Sequence, residues 1–446
     1  MKDFLFVLSC IGLISCSEPD GDDAAPSPGG ADARSAGAVD LSLPNTPDMS
    51  LEPPAMAPAR WDAPLVYGSA SLEQALGVDA LPDHRLVIAG RSEGQLPDNP
   101  DNTLADGFIA LIQDGGELAW IKQFGSPATD QFLDVVYHPQ GLIFAGGFST
   151  GDFAGQNNQR FVDGTLVALT VDGETQWEKL LDLGSVNRLL STPSGIVVLG
   201  SYEEAEGDAA AFIAEYDLSG ERRWLKTLNS PAYDSATSAV LMDETIYLCG
   251  FSFGALTSAA DREDADIFVA ALSLTGELLW VREYGSEGDD SPVRIVSAPQ
   301  GLIIAGYTSG LFGEQQYGGN DVAVLKIDRD GEPLWRKQFG TAGSEAAYGL
   351  AISPEGHIIL SGRIDEGSWG EQPNLGGDAF LLELSQEGQL LRTRQYDYAG
   401  RDEIVDLAFT QSQLNIAGYL GGSAGAEDLD IFVDRLADIG EPRGSR

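Results

Sequence analysis

The 446 residues are 43% hydrophobic, ordinary for a globular chain, yet they carry 69 acidic against 26 basic side chains, a formal charge of −43. That balance argues against a nucleic-acid partner, because phosphate binding needs clustered Lys and Arg and the whole chain holds six lysines. An anionic membrane surface would repel the body for the same reason, and the acidity itself is accounted for by solubility or by a saline habitat, neither of which names a partner.

Residues 1–15 read as a lipoprotein signal peptide. Lys2 gives a short positive start diluted by Asp3, Phe4 to Leu13 is an apolar run of h-region length, and Leu13-Ile14-Ser15-Cys16 matches the lipobox. Cys10 closes a second, weaker box behind a shorter apolar run. Cleavage before Cys16 predicts a lipidated N-terminal cysteine that holds the protein in the cell envelope outside the cytoplasm, at the outer membrane or cell surface. Residues 16–62 are rich in Pro, Ala, Gly, Ser and Asp and nearly devoid of aromatic and β-branched side chains, which predicts a disordered tether. A flexible chain of that length spans about 35 to 40 Å root-mean-square, enough to stand the body clear of a lipid surface. With Cys10 discarded and Cys16 acylated, Cys249 is left alone in the run Thr245-Ile246-Tyr247-Leu248-Cys249-Gly250, where it is expected to act as a small hydrophobe.

From Pro64 onward the chain repeats, and three landmarks set the register. An apolar strand closes on Gly90, Gly146, Gly200, Gly250, Gly306, Gly362 and Gly418, at spacings of 56, 54, 50, 56, 56 and 56. An Asp opens a second apolar strand at Asp106, Asp163, Asp208, Asp266, Asp321, Asp378 and Asp430. A Gly turn then leads into a Trp strand ending in aromatic-Gly-Ser or a close variant, clearest in ELAWIKQFGS, ELLWVREYGS and EPLWRKQFGT. Each repeat thus supplies four short strands, a to d, with Asp-Gly hairpin turns such as Asp172-Gly173 and Asp330-Gly331 between c and d. The predicted fold is all-β, a seven-bladed β-propeller of four-stranded antiparallel blades over residues 63–437, followed by a tail at 438–446. The seventh repeat stops after strand c, while Pro64-Leu65-Val66-Tyr67-Gly68-Ser69 is a d strand without a blade. An N-terminal strand is therefore expected to close the last blade.

The stretches Asp266-Ile267-Phe268-Val269-Ala270, Asp378-Ala379-Phe380, Gly306-Tyr307-Thr308 and Gly276-Glu277-Leu278-Leu279-Trp280 resemble the bacterial seven-bladed β-propeller (SBBP-type) repeat found in lipoproteins. The resemblance covers about residues 64 to 437. It implies a secreted or lipid-anchored scaffold, and no single activity.

In such a ring the d-to-a and b-to-c loops share one face, and the long b-to-c loops make it the expected binding surface. Its candidate contact residues are Trp369, Phe312, Tyr317 and Phe153. Six of seven d-to-a junctions place an acid at one position, Glu73, Asp130, Asp234, Asp290, Glu345 and Asp402, the shortened junction after Leu183 being the exception. Together with Asp289, and locally Asp261 to Asp266, these acids are candidate ligands for Ca²⁺ or another hard cation. The plainer reading, and the favoured one, is that each acid caps backbone N–H groups of its own loop. The Asp residues opening the c strands are read as turn-stabilising. His84, His138 and His357 fall at a-to-b turns in separate blades, no catalytic motif is present, and no cofactor is otherwise indicated. The leading expectation is a non-enzymatic scaffold binding an envelope protein, glycan or cation; a carbohydrate-active hydrolase or lyase and a purely structural envelope protein are the alternatives.

Overall fold

The computed structural model describes residues 64–67, 71–94, 96, 104–205, 208–257, 261–365, 367–369, 377–396, 401–410, 413–421 and 429–436. The expected signal peptide, Cys16, the tether and the C-terminal tail lie outside these residues. Strand β1 (Leu65–Tyr67) precedes blade 1, which is β2 (Glu73–Ala80), β3 (Leu86–Ser92), β4 (Asp106–Ile112) and β5 (Leu118–Phe124). Blade 2 is β6 (Asp130–His138), β7 (Leu142–Ser149), β8 (Asp163–Thr170) and β9 (Thr175–Leu180). Blade 3 is β10 (Val186–Thr192), β11 (Gly195–Ala205), β12 (Asp208–Asp217) and β13 (Arg222–Leu228). Blade 4 is β14 (Asp234–Met242), β15 (Thr245–Gly254), β16 (Asp261–Ser273) and β17 (Leu278–Tyr284). Blade 5 is β18 (Asp290–Ala298), β19 (Gly301–Thr308), β20 (Asp321–Ile327) and β21 (Pro333–Phe339). Blade 6 is β22 (Glu345–Ile352), β23 (Ile358–Ile364), β24 (Asp378–Leu384) and β25 (Leu390–Tyr396). Blade 7 is β26 (Glu403–Thr410), β27 (Gln413–Gly421) and β28 (Leu429–Leu436), completed by β1. All seven sheets are four-stranded and antiparallel, so the propeller and its closure stand as expected.

The landmarks recur because each fills a fixed steric slot. A Cβ on the glycine closing strand b would sit 1.8 to 2.1 Å from a strand-a carbonyl oxygen, as at Gly90 against Gln74, Gly250 against Ser235 and Gly418 against Glu403. In blade 2 that slot belongs to Gly147, one residue past the Gly146 suggested by spacing. The cause is a bulge in every a–b pair, at Leu76, Leu133, Asn187, Thr237, Val293, Tyr348 and Val405, which bends the innermost strand at the axis. Two other landmarks form a single contact: the glycine of aromatic-Gly-Ser yields its Cβ space to the strand-c Asp, as at Gly125 over Asp106 and Gly340 over Asp321.

Apolar packing lies between blades. Seven buried clusters each join two neighbouring blades, one per seam, including blade 7 with blade 1. The strand-d tryptophans lock these seams. Trp120, Trp177, Trp224 and Trp335 donate their indole N–H groups to carbonyls of the next blade's c–d turn at 2.9 to 3.1 Å, lying against its glycine.

The seam where the chain ends meet has its own fastening. Tyr67 donates to Gly116 O at 3.0 Å, repeating the contact of Tyr284 with Gly331 O. The Arg435 side chain is fully buried: its Nε donates to Asn415 Oδ1 (2.7 Å), Nη2 to His84 O (2.6 Å), and Nη1 to Asp114 O (3.0 Å) and Asp114 Oδ1 (2.5 Å). It thereby ties β28 to two turns of blade 1. Replacing Arg435 by Met keeps the bulk but strands these acceptors, so Arg435→Met should cost about 3–5 kcal/mol. The readout is a lower denaturant midpoint, whereas Arg85→Met, on an exposed turn, should leave it in place. An unchanged midpoint for Arg435→Met would refute the fastening role.

Candidate functional site

The long-loop face is built on loops tied to the blades beneath. Gln338 of β21 accepts from the Phe312 and Gly313 N–H groups (2.9 Å each) through Oε1 and donates through Nε2 to Gly310 O (3.0 Å) and Asp321 Oδ2 (2.6 Å). Gln123 holds Leu96 N (3.0 Å) and Asp106 Oδ2 (2.8 Å) in blade 1, and Gln395 holds Trp369 N (3.1 Å) and Asp378 in blade 6. Glu283 takes Leu256 N (3.0 Å) and Thr257 N (3.1 Å) in blade 4. These strand-d side chains were missed in the sequence reading, although the recurring Gln before the final aromatic in Gln123-Phe124, Gln338-Phe339 and Gln395-Tyr396 is a visible signal.

The strand-c acids turn their carboxylates onto backbone and amide donors: Asp163 accepts from Gln159 N (2.6 Å) and Asp321 from Tyr317 N (2.8 Å). The side chain of Asp208 lies outside the described residues, as do those of Asp261 and Glu263. The junction acids are buried and satisfy nearby donors. Asp130 accepts from Ser126 N (2.6 Å), Asp234 from Ser230 N (2.5 Å), Asp290 from Ser286 N and Glu345 from Thr341 N (2.9 Å), each four residues upstream. Glu73 accepts from Ser92 Oγ (3.1 Å) and Asp402 from Gly421 N (3.3 Å), while Asp289 accepts from Ala265 N (3.0 Å). Burial raises Asp130, Asp290 and Glu345 above the usual carboxylate range. Among the described residues, no group of three or more His, Cys, Asp or Glu is arranged to hold a metal ion.

Of the four aromatics expected on this face, the structure leaves Tyr317 exposed and Trp369 half-buried, stacked on Phe380 at 5.4 Å. Phe153 and Phe312 correct the expectation: both are buried in interblade clusters, because their loops fold back and drive the rings inward. The exposed apolar side chains at the loop tips are instead Phe161, at 74%, with Leu104 and Leu311. The histidines stay apart: His138 Nε2 lies 3.0 Å from Thr192 O, and His357 Nδ1 lies 2.5 Å from Glu383. Cys249 is fully buried, and burial pushes its thiol up to about 12.

A charged network that the sequence reading did not find lies along the ring axis. The residue following each bulge runs Gly77, Asp134, Arg188, Ser238, Arg294, Gly349, Asp406 around the ring. Arg188 bonds Asp134 at 2.5 Å and reaches across to Asp406 at 3.3 Å, and Arg294 meets Asp406 at 3.1 Å. Backbone donors complete it: Leu189 N to Asp134 (2.8 Å) and Val78 N to Asp406 (3.2 Å). Asp79, two residues beyond Gly77, accepts from Tyr137 N at 2.8 Å. Two carboxylates, Asp134 and Asp406, thus share the two guanidiniums, and Asp79 is held by backbone donors alone. Burial, reinforced by Asp134 and Asp406 against those backbone donors, raises Asp79 to about 7, and burial raises Asp134 to about 6 despite Arg188.

Comparison with known proteins adds little beyond architecture. No protein-family model matches the chain. Over 235 residues it is 22% identical to the regulatory protein FlaEY of Caulobacter vibrioides, covering 48% of this chain and 25% of that protein, so it spans about a quarter of the length of this curated relative. Among solved structures, the WD40 β-propeller domain of Doa1 is similar at 13% identity and a TM-score of 0.47, covering 84% of this chain and 96% of that one. A protein of unknown function from Dyadobacter fermentans (11%, TM-score 0.46, 82% and 96%) and the polysaccharide lyase Uly1 (11%, TM-score 0.45, 83% and 92%) are similar to the same degree.

The axial network makes stability depend on pH. An unfolded Asp protonates near pH 3.9, well below the folded Asp79 and Asp134, so the native state binds more protons between about pH 4 and 7. Stability should therefore fall as pH rises through that window and level off above it. Thermal unfolding at pH 5, 6, 7 and 8 should give midpoints that fall with pH, with a shallower fall for Asp79→Asn. Parallel curves for the two proteins would remove Asp79 as a cause.

Proposed function

We propose that this chain is an exported, lipid-anchored member of the SBBP-type repeat proteins that acts as a non-enzymatic scaffold, binding an envelope protein, a glycan or a cation through its long-loop face. The observation that carries the reading is the anchoring of those loops: Gln123, Glu283, Gln338 and Gln395 fix loop backbone to a blade at Leu96, Leu256, Phe312 and Trp369, so each loop leaves its blade in a set direction. Apolar side chains stand exposed there, at Leu104, Phe161, Leu311 and Tyr317, on a chain whose surface is otherwise strongly acidic. The junction acids and histidines are taken up by the scaffold or kept in separate blades, which favours binding over catalysis.

Capture from native envelope material with the Cys16→Ser protein as bait should lose at least one partner when Phe161 and Tyr317 are both changed to Ser. Asp172→Ser, on the opposite face, should keep it. Capture indifferent to the loop-tip pair, or dependent on Asp172, would overturn the assignment of the binding face. For the anchor, Cys16→Ser should shift the protein from the membrane to the soluble extracytoplasmic fraction; continued membrane fractionation would refute lipidation at Cys16.

A further inference from the structure

At the channel mouth on the long-loop face, the residue after the strand-b glycine is Phe148, Ser201, Phe251 and Tyr307 in blades 2 to 5, but Arg363, Tyr419 and Arg91 in blades 6, 7 and 1. Arg401 enters from the loop before β26. Glu403, the strand-a partner of Tyr419, binds three donors through its Oε2: Arg363 Nη1 at 3.3 Å, Arg401 Nη2 at 3.4 Å and Tyr419 Oη at 2.5 Å. Arg91 lies within electrostatic reach of Tyr419. Burial holds the Tyr348 and Tyr419 hydroxyls far above their ordinary range, so both are neutral groups in this cluster.

Exposure divides the charges unevenly. The side chains of Arg91, Arg363 and Arg401 are 15%, 17% and 32% exposed and that of Glu403 is 2% exposed, whereas Glu93 and Asp365, the other carboxylates paired with Arg91 and Arg363, are 47% and 49% exposed. Half-solvated carboxylates are screened and contribute little; among the described ion pairs the enclosed carboxylate is Glu403, shared by Arg363 and Arg401, while Arg91 pairs with the half-exposed Glu93. Arg91 Nε and Arg401 Nε are moreover buried with no acceptor among the described residues. A buried guanidinium N–H without an acceptor is costly, and the planar fork of Arg matches the paired oxygens of carboxylate and phosphate.

We propose that the channel mouth between blades 6, 7 and 1 is an oxyanion-binding site, in which Arg91 and Arg401 receive a carboxylate or phosphate group of a ligand held on the long-loop face. The assignment rests on the reading of that face as the binding surface. It gives the ligand an anionic group even though the body is acidic, because Arg91, Arg363 and Arg401 are gathered in this arc.

The test is calorimetric titration of the full Cys16→Ser chain with sodium phosphate and, separately, with sodium glucuronate, at constant ionic strength. At least one probe should saturate at one site per chain, and whichever binds identifies the phosphate or the carboxylate source. Arg91→Gln and Arg401→Gln should each weaken it about tenfold or more. Arg401→Lys, which keeps the charge but loses the fork, should fall between, and Arg160→Gln, packed on Tyr202 elsewhere on the face, should bind as the parent does. Folding of each variant is checked by its thermal midpoint. Saturation by neither probe, or equal affinities for parent and Arg variants, would overturn the site. Such a failure alongside loop-tip variants that still lose their captured partner would leave the binding-face reading intact.

Discussion

Closure of the ring is the constraint on which everything else depends. Apolar packing is distributed over seven seams, so no blade has a core of its own and each is stable only between two neighbours. Six seams join blades continuous in sequence, and the seventh must be made by residues more than 300 positions apart. Three short strand pairings, Leu65 with Val433, Val66 with Phe432 and Tyr67 with Ile431, complete blade 7. So short a strand gives few ladder hydrogen bonds, and the remaining hold comes from the apolar cluster at that seam, from Tyr67, and from Arg435, whose Nη groups bond Asp114 and His84 across the seam while its Nε bonds Asn415 of its own blade. A buried Arg is an expensive fastener, tolerable here because its described acceptors meet all three nitrogens.

Within the ring the same logic repeats on a smaller scale. The bulge bends each innermost strand and brings a strand-a carbonyl against strand b, where only glycine fits. It also fixes which residue follows it toward the axis, and five of the blades supply charge or polarity there. Arg188 and Arg294 neutralise Asp134 and Asp406 across the ring, leaving Asp79 as the carboxylate without a guanidinium, which is why its proton is held so tightly.

What could be read from the amino-acid order is what each blade does for itself. Glycines at steric slots, Asp residues that cap their own loops and Trp residues that cover the next turn recur at a fixed interval because the need recurs, and they revealed the blade number and the closing strand. The features that stayed hidden depend on contacts without a period. Arg188 meets Asp406 across 218 positions, Arg435 reaches Asp114 and His84 across more than 300, and neither pairing can be anticipated before the bulge and the ring are known. Phe153 and Phe312 were misplaced for a related reason: an aromatic in a long polar loop looks exposed until the path of the loop is known, and here the loops turn inward. The strand-d Gln residues lie between these cases, since they recur but do so in only some blades.

The departures from the repeat are therefore the informative residues at the channel mouth. A position occupied by Phe, Ser, Phe and Tyr in four consecutive blades serves packing, and two Arg residues at the same position in blades 6 and 1 cannot serve it in the same way. Their guanidiniums lie deeper than two of the carboxylates that pair with them, which inverts the usual arrangement of a long cation reaching outward from an apolar stem. Burial of a guanidinium N–H without an acceptor lowers stability unless something supplies one, and on a chain of net charge −43 such a site persists only where the scaffold around it is stable enough to bear the cost. The site spans the seam between blades 6 and 7, where Arg363 meets Glu403, whereas β1, Tyr67 and Arg435 fasten the next seam at Gly116, His84 and Asp114 on the opposite face. Closure and the candidate anion site thus use opposite ends of neighbouring blades, so neither draws on the residues of the other.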